Sequence, residues 1–221
     1  MREASKLERT SLGLNPKSKY YIIPEGEKTE IQYFLGIRDN AAEININSLI
    51  EVIPIENDED ELGQSHPLRK INNFNEDIEN NKFLYDKEID KVCFVADRDP
   101  QNFSEEQYDE FLSKCEEYNY KVFISNPTFE LFLLMHDDKI FELDKKEMLE
   151  NRKVSTTKRF LEIKLSEFFG CNKKNLNFEK FKPNIRKAID NEKNFEENLN
   201  NLKNNLGSNV GTLLDEMIDK K

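Results

Sequence analysis

The chain has 221 residues, and its 33 Lys+Arg against 44 Asp+Glu give a formal charge of −11. Hydrophobic residues make up 37%, and sixteen Phe with seven Tyr supply enough bulk for a core, which excludes a disordered chain. No run of about 18 apolar residues exists to span a membrane. The polar start MREASKLERT lacks a signal-peptide core, so the expected location is the cytoplasm. Three widely spaced cysteines (Cys93, Cys115, Cys171) argue against a disulfide framework and a zinc site.

Lys19–Pro24 (KYYIIP) is aromatic and β-branched and closes on proline and glycine, as a short strand does. Thr29 and Gln32 stand at capping-box spacing, and Ile31, Phe34 and Leu35 then share one helical face. Leu49–Ile55 reads as a second strand, which Pro54 confines to a sheet edge or a strand end. Pro67–Tyr85 carries a weak helical pattern. Lys91–Ala96 (KVCFVA) is almost continuously apolar, as strands buried on both faces are. Ser104 and Gln107 form a second capping box. Tyr108, Phe111, Leu112, Cys115 and Tyr118 follow on one face, the clearest amphipathic helix in the chain. Tyr120–Ser125 reads as a fourth strand and Pro127–Met135 as a helix. Beyond about Lys139 the pattern is helix and polar loop without a convincing strand. Gly207-Ser208-Asn209 supplies a turn and an N-cap for the last helix.

Strands alternating with helices predict an α/β fold built on a parallel sheet, because a parallel pair needs a long crossover. The expected division is an α/β domain over residues 19–138 and a basic helical C-terminal region, residues 139–221, packed on it. In such sheets ligands sit beyond the carboxyl ends of the strands. The first strand ends in Glu25-Gly26-Glu27-Lys28-Thr29-Glu30 and the third in Asp97-Arg98-Asp99-Pro100. The fourth ends in Ser125-Asn126-Pro127, with Glu130 a turn later. In extended chain Asp97 and Asp99 project together while Arg98 points elsewhere. Two such carboxylates repel each other unless a cation sits between them or one is protonated. Hard oxygen donors favour Mg²⁺ or Mn²⁺. Gly26 lets the backbone approach a phosphate closely. Taken singly, each piece is an ordinary turn or helix start, and the helix dipole accounts for Glu27 and Glu30 without chemistry. Taken together at the ends of strands one and three, they point to a divalent-metal site.

Between Asn151 and Lys187 stand eleven Lys+Arg and three acids, a local surplus of eight positive charges. Arg152, Lys153, Lys158, Lys173 and Lys174 are candidates to hold a phosphate backbone of DNA or RNA. Phe160, Phe168, Phe169, Phe178 and Phe181 either stack on bases or point into a core. The acidic run Glu56–Glu61 reads as an exposed loop. His66 and His136 lack zinc-motif spacing and read as structural or rim residues. Gly-x-Ser-x-Gly, GxGxxG and a Gly-Lys-Ser/Thr phosphate loop are all missing, which weighs against a serine hydrolase, a Rossmann dehydrogenase and a P-loop ATPase.

A strand ending in Glu-Gly followed by a strand ending in Asp-x-Asp resembles the Toprim domain of topoisomerases, primases and OLD-type nucleases. Four stretches together resemble the RloB-like family, which includes the AbiLii abortive-infection proteins. They are Glu25-Gly26-Glu27-Lys28-Thr29-Glu30, Ala96-Asp97-Arg98-Asp99, Ser125 through His136, and Gly207-Ser208-Asn209-Val210. The resemblance implies a Toprim-like sheet with a helical extension, a role in bacterial phage defence, and an AAA-type ATPase partner or restriction–modification neighbours. It matches Glu25 to the Toprim glutamate, Asp97 and Asp99 to the Asp-x-Asp pair, and Glu30 to a second-metal glutamate.

The expected activity is metal-dependent hydrolysis of phosphodiester bonds. Glu25, Asp97 and Asp99 would hold Mg²⁺ or Mn²⁺, Glu27 or Glu30 would help bind a second ion, and Glu25 is the candidate base. Lys28, Lys173 or Lys174 would steady transition-state charge, while Glu27, Asn126 and Glu130 orient the ligands. Two rivals stand beside this reading: a non-catalytic module that binds nucleic acid or an ATPase, and a nucleotide-sugar or nucleotidyl transferase using Asp-x-Asp.

Overall fold

The apolar runs lie side by side in the computed structural model, which describes residues 17–26, 28–55, 67–100, 103–172 and 175–219. Strands β1 (Ser18–Pro24), β2 (Ile50–Pro54), β3 (Lys91–Asp97) and β4 (Lys121–Asn126) pair in parallel. A two-residue strand β5 (Gly207–Ser208) pairs antiparallel with β4, giving the order β2-β1-β3-β4-β5. The architecture is α/β, a five-stranded and mostly parallel sheet flanked by helices. Pro54 sits where its missing N–H costs least, at the last residue of the edge strand β2. The chain leaves β1 toward β2 on one side and returns to β3 on the other. The order therefore reverses between β1 and β3, and this is the switch point where an open α/β sheet forms its crevice.

Alternation along the strands feeds two cores. Tyr20, Ile22, Cys93, Val95 and Phe123 face one side, together with α1 (Thr29–Asp39) and α4 (Phe129–Leu134). Tyr21, Ile23, Val92, Phe94, Val122 and Ile124 face the other, under α2 (Pro67–Glu79) and α3 (Glu105–Glu117). The first core is aromatic. Tyr33 stands edge-on to Phe34, Phe129, Phe132, Phe178 and Phe181, with ring centroids 5.5–6.3 Å apart. Gly36 admits this packing, because a Cβ there would run into the Phe178 ring. The later helices are α5 (Lys145–Glu150), α6 (Phe160–Phe169), α7 (Ile185–Glu192), α8 (Leu199–Leu202) and α9 (Val210–Met217). Leu161, Leu165, Ile189 and Leu213 join the same cluster as the sheet residues, so this core runs continuously past residue 139.

Several sequence expectations change. Among the described residues beyond Lys139 there is one strand, β5, too short to carry any period. Thr29 is the first residue of α1 and not its cap, and the Gln32 side chain instead accepts a hydrogen bond from the Leu176 N–H (2.7 Å). The Ser104–Gln107 box forms in full at the start of α3. Tyr118 is exposed and stacks on Tyr120. Asn209 stands at the N-cap of α9, yet its side chain faces the sheet: Oδ1 accepts from the Ile124 N–H (2.6 Å) and Nδ2 donates to the Val122 carbonyl (3.2 Å). The carboxylate of Glu192 accepts from the Gly211 and Thr212 N–H groups at 2.9 and 3.1 Å, which satisfies that helix end instead. His136 is structural, buried with Nε2 3.0 Å from the Tyr33 hydroxyl, and burial lowers its pKa to about 4. Glu27, Glu56–Glu61, His66, Lys173 and Lys174 lie outside the described residues. Among the described residues no helix is long and apolar enough to cross a membrane.

Candidate functional site

Because β1 and β3 are neighbours in parallel register, their carboxyl ends meet. The Glu25 N–H donates to the Val95 carbonyl (2.7 Å), which carries the ladder one residue past β1. Its side chain then turns to β3, where Oε2 accepts from the Asp97 N–H at 3.0 Å. Asp97 in turn accepts from the Phe129 N–H at the start of α4 through Oδ1, at 2.8 Å. Glu30, in the first turn of α1, and Glu130, in the first turn of α4, are only 6% and 8% exposed. Gly26 makes room for this gathering, since a Cβ there would collide with the Glu30 carboxylate. The space expected to admit a phosphate is filled by that carboxylate.

The electrostatics follow from the crowding. The Glu25 pKa is pushed up to about 8, first by burial and then by repulsion from Glu30 and Asp99, while the Asp97 N–H and the Lys70 charge work against the rise. Asp97 is held well above the usual carboxylate range, again first by burial and then by Glu30, Glu130 and Glu25. Acids from β1, α1, β3 and α4 thus act on one another at the β1/β3 switch point.

Other expected site residues fall at varying distances from this cluster. Asp99 pairs with Arg159, whose guanidinium lies 3.7 Å away. Arg98 points to the opposite side as expected; it is buried, donates to the Phe103 carbonyl, and lies 5.3 Å from the Tyr108 ring centroid. Lys28 is exposed at the start of α1. The Asn126 amide donates to the Leu202 carbonyl of α8 (2.7 Å), so the group that orients Asp97 is the Phe129 N–H. The Oδ1 of Asn126 and the Oγ1 of Thr128 are buried and make no hydrogen bond.

Two cations escaped the sequence reading. Lys70 is 6% exposed and donates to the Pro24 carbonyl at 2.5 Å, beside Glu25. The signal was its place on the buried face of α2 with Pro67, Ile71 and Phe74, at i, i+3, i+4 and i+7. Arg159 carried no such signal, because only the fold brings its helix start to β3.

Five carboxylates offer hard oxygen donors, and an added positive charge would relieve the repulsion that burdens Glu25 and Asp97, so the donor chemistry fits Mg²⁺ or Mn²⁺. Among the described residues, no three acidic, histidine or cysteine side chains are gathered closely enough to hold a metal ion as they stand. Binding one would require these carboxylates to draw together.

The basic segment resolves into two parts. Its aromatics are structural: Phe169, Phe178 and Phe181 are buried, and Phe160 and Phe168 pack against the same core, which leaves none for base stacking. Lys164, Lys182, Arg186 and Lys187 pair with nearby acids. Arg152, which pairs with Glu150, and Lys153 and Lys158 lie in an exposed hairpin over residues 151–159.

A family model described as RloB-like protein matches residues 20–219, nearly the whole chain. The chain belongs to the RloB-like family. No curated protein and no solved structure matches it. In this RloB-like protein the matched span takes in Glu25, Asp97, Asp99, Glu130 and the 151–159 hairpin alike.

Proposed function

We propose that this RloB-like protein is a metal-dependent nuclease of Toprim type, related to the AbiLii proteins and acting in phage defence in the cytoplasm. The observation that carries the reading is the hydrogen bond from the Asp97 N–H to the Glu25 carboxylate across the β1/β3 switch point, within reach of Glu30, Glu130 and Asp99. Glu25, Asp97 and Asp99 would hold Mg²⁺ or Mn²⁺, with Glu27 or Glu30 helping to bind a second ion. When bound, such an ion neutralises charge on the scissile phosphate and supplies an acidified water. Glu25 takes the proton from the attacking water, and the Phe129 N–H fixes the Asp97 carboxylate. Lys28, or Lys173 and Lys174, are proposed to steady the developing charge, Glu130 to support the ligands, and Arg152, Lys153 and Lys158 to track the nucleic-acid backbone. An AAA-type ATPase is the proposed protein partner.

The purified protein, given Mg²⁺ or Mn²⁺ and offered DNA, RNA and tRNA, is expected to cleave at least one of them. An Asp97→Ala, Asp99→Ala variant should be inactive. Equal cleavage by both would mean contamination and would overturn the proposal. A second reading, a binding module without catalysis, draws on the same carboxylates standing apart as they do; cleavage by neither form would favour it.

A further inference from the structure

We propose that Arg159 is the residue that grips the substrate phosphate, and that its ion pair with Asp99 must open for it to do so. The inference rests on the metal-dependent reading of the carboxylate site and adds to it a charge relay between that site and the basic hairpin.

The hairpin is built to hold Arg159 in place. Lys153 and Arg159 form an antiparallel bridge, and the Val154 N–H donates to the Lys158 carbonyl at 3.0 Å. The turn is closed by Ser155, whose hydroxyl accepts from the Lys158 N–H at 3.0 Å. At the root, the Phe160 N–H donates to the Arg152 carbonyl (3.0 Å), and the Leu161 N–H donates to Oδ1 of Asn151 (3.0 Å). Asn151 itself is buried, in the left-handed region at φ 39°, so the base of the hairpin is fixed in the core. Its tip is open, and Val154 is 60% exposed.

Charge along the hairpin is one-sided, with four cations and no acid over residues 151–159. Arg152 pairs with Glu150, and among the described residues Lys153 and Lys158 make no ion pair. Arg159 is the innermost of the four and reaches the rim of the carboxylate cluster, 3.7 Å from Asp99. It stands at the N-cap of α6, where the helix dipole disfavours a cation, and its Nη1 donates to the Asn151 carbonyl at 3.4 Å, which steadies the guanidinium beside Asp99. An arginine paired with Asp99 satisfies that acid. Once Asp99 is neutralised the guanidinium is released, and its fork of donors suits the non-bridging oxygens of a phosphodiester. The other hairpin cations would lead the strand to it.

The test is a double-mutant cycle that needs neither metal nor cleavage. Wild type, Asp99→Asn, Arg159→Gln and the double variant are titrated against fluorescein-labelled 20-nucleotide single-stranded DNA and RNA in EDTA, by anisotropy. Asp99→Asn should tighten binding about three- to tenfold, and most of that gain should vanish when Arg159 is also Gln. The steepness of log K against log salt should rise by about 0.7 in Asp99→Asn, one more phosphate contact, and fall back in the double variant. Arg159→Lys, which keeps the charge and the stem, should retain part of the gain and confirm that the hairpin is folded. Whichever of DNA or RNA shows the larger coupling is the substrate class. An equal gain from Asp99→Asn with and without Arg159, or no binding by Asp99→Asn at all, overturns the proposal. Failure of wild type to cleave with Mn²⁺ would overturn the nuclease reading and leave this cycle to judge the relay separately.

Discussion

Lys70 brings a charged group into the protein beside the acids that need it. Its ammonium satisfies the Pro24 carbonyl and offsets part of the burial that raises Glu25. Lys70→Met removes both and should lower stability by about 1–3 kcal/mol in urea unfolding, with Lys70→Arg recovering part of the loss. Asp97 should behave in the opposite way. It is crowded by Glu25, Glu30 and Glu130, so removing its charge relieves repulsion, while an asparagine oxygen keeps the bond from the Phe129 N–H. Asp97→Asn should raise the melting temperature by roughly 2–4 °C and abolish the proposed cleavage, the pattern of a site held at the expense of stability. A melting temperature that falls would contradict the repulsion. The identity of these acids was legible in the sequence because each stands at a strand end or in a helix's first turn. The Lys70 and Arg159 contacts were not, since they depend on which elements the fold sets beside each other.

At the scale of elements, β4 shows how an edge is finished with little strand. β5 covers only Ser125 and Asn126, and the Asn209 side chain takes over the next positions, occupying the Ile124 N–H and the Val122 carbonyl. Asn209→Ala should cost about 2 kcal/mol, from two buried hydrogen bonds, and should speed amide exchange at Ile124 ahead of β3 amides. Unchanged exchange there would show the asparagine to be incidental. The four parallel strands could be read from apolar runs and spacing to within a residue at each end, whereas the helix expected over Pro67–Tyr85 already stops at Glu79. The capping box at Ser104 forms in full, whereas at Thr29 the Gln32 side chain instead takes a tertiary bond from the Leu176 N–H. The phenylalanines of the basic segment showed the same ambiguity, since one spacing serves a stacking surface or a core. Tyr33 and its ring of aromatic neighbours settled it toward the core.

For the whole molecule, burial of acids sets a pH dependence. Glu192, between α7 and α9, keeps its proton to about 8 when folded against an ordinary value of 4.5. Between those values the folded state binds more protons, so stability should fall as pH rises from 4.5 toward 8. Glu192→Gln should flatten that fall in thermal melts, and an identical slope in the variant would contradict the assignment. The strand order could not be read from the sequence, because pairing is set by crossovers that carry no period. Yet the order is what turns two separate motifs into one site, by reversing between β1 and β3 and setting Glu25 against Asp97. The central claim is that this rim of the sheet gathers a divalent ion. Crystals soaked in Mn²⁺ test it most directly through the anomalous difference map. A peak about 2.0–2.2 Å from oxygens of Glu25, Asp97 and Asp99 is the expected result. A map with no peak there, from protein that still cleaves nucleic acid, would contradict it.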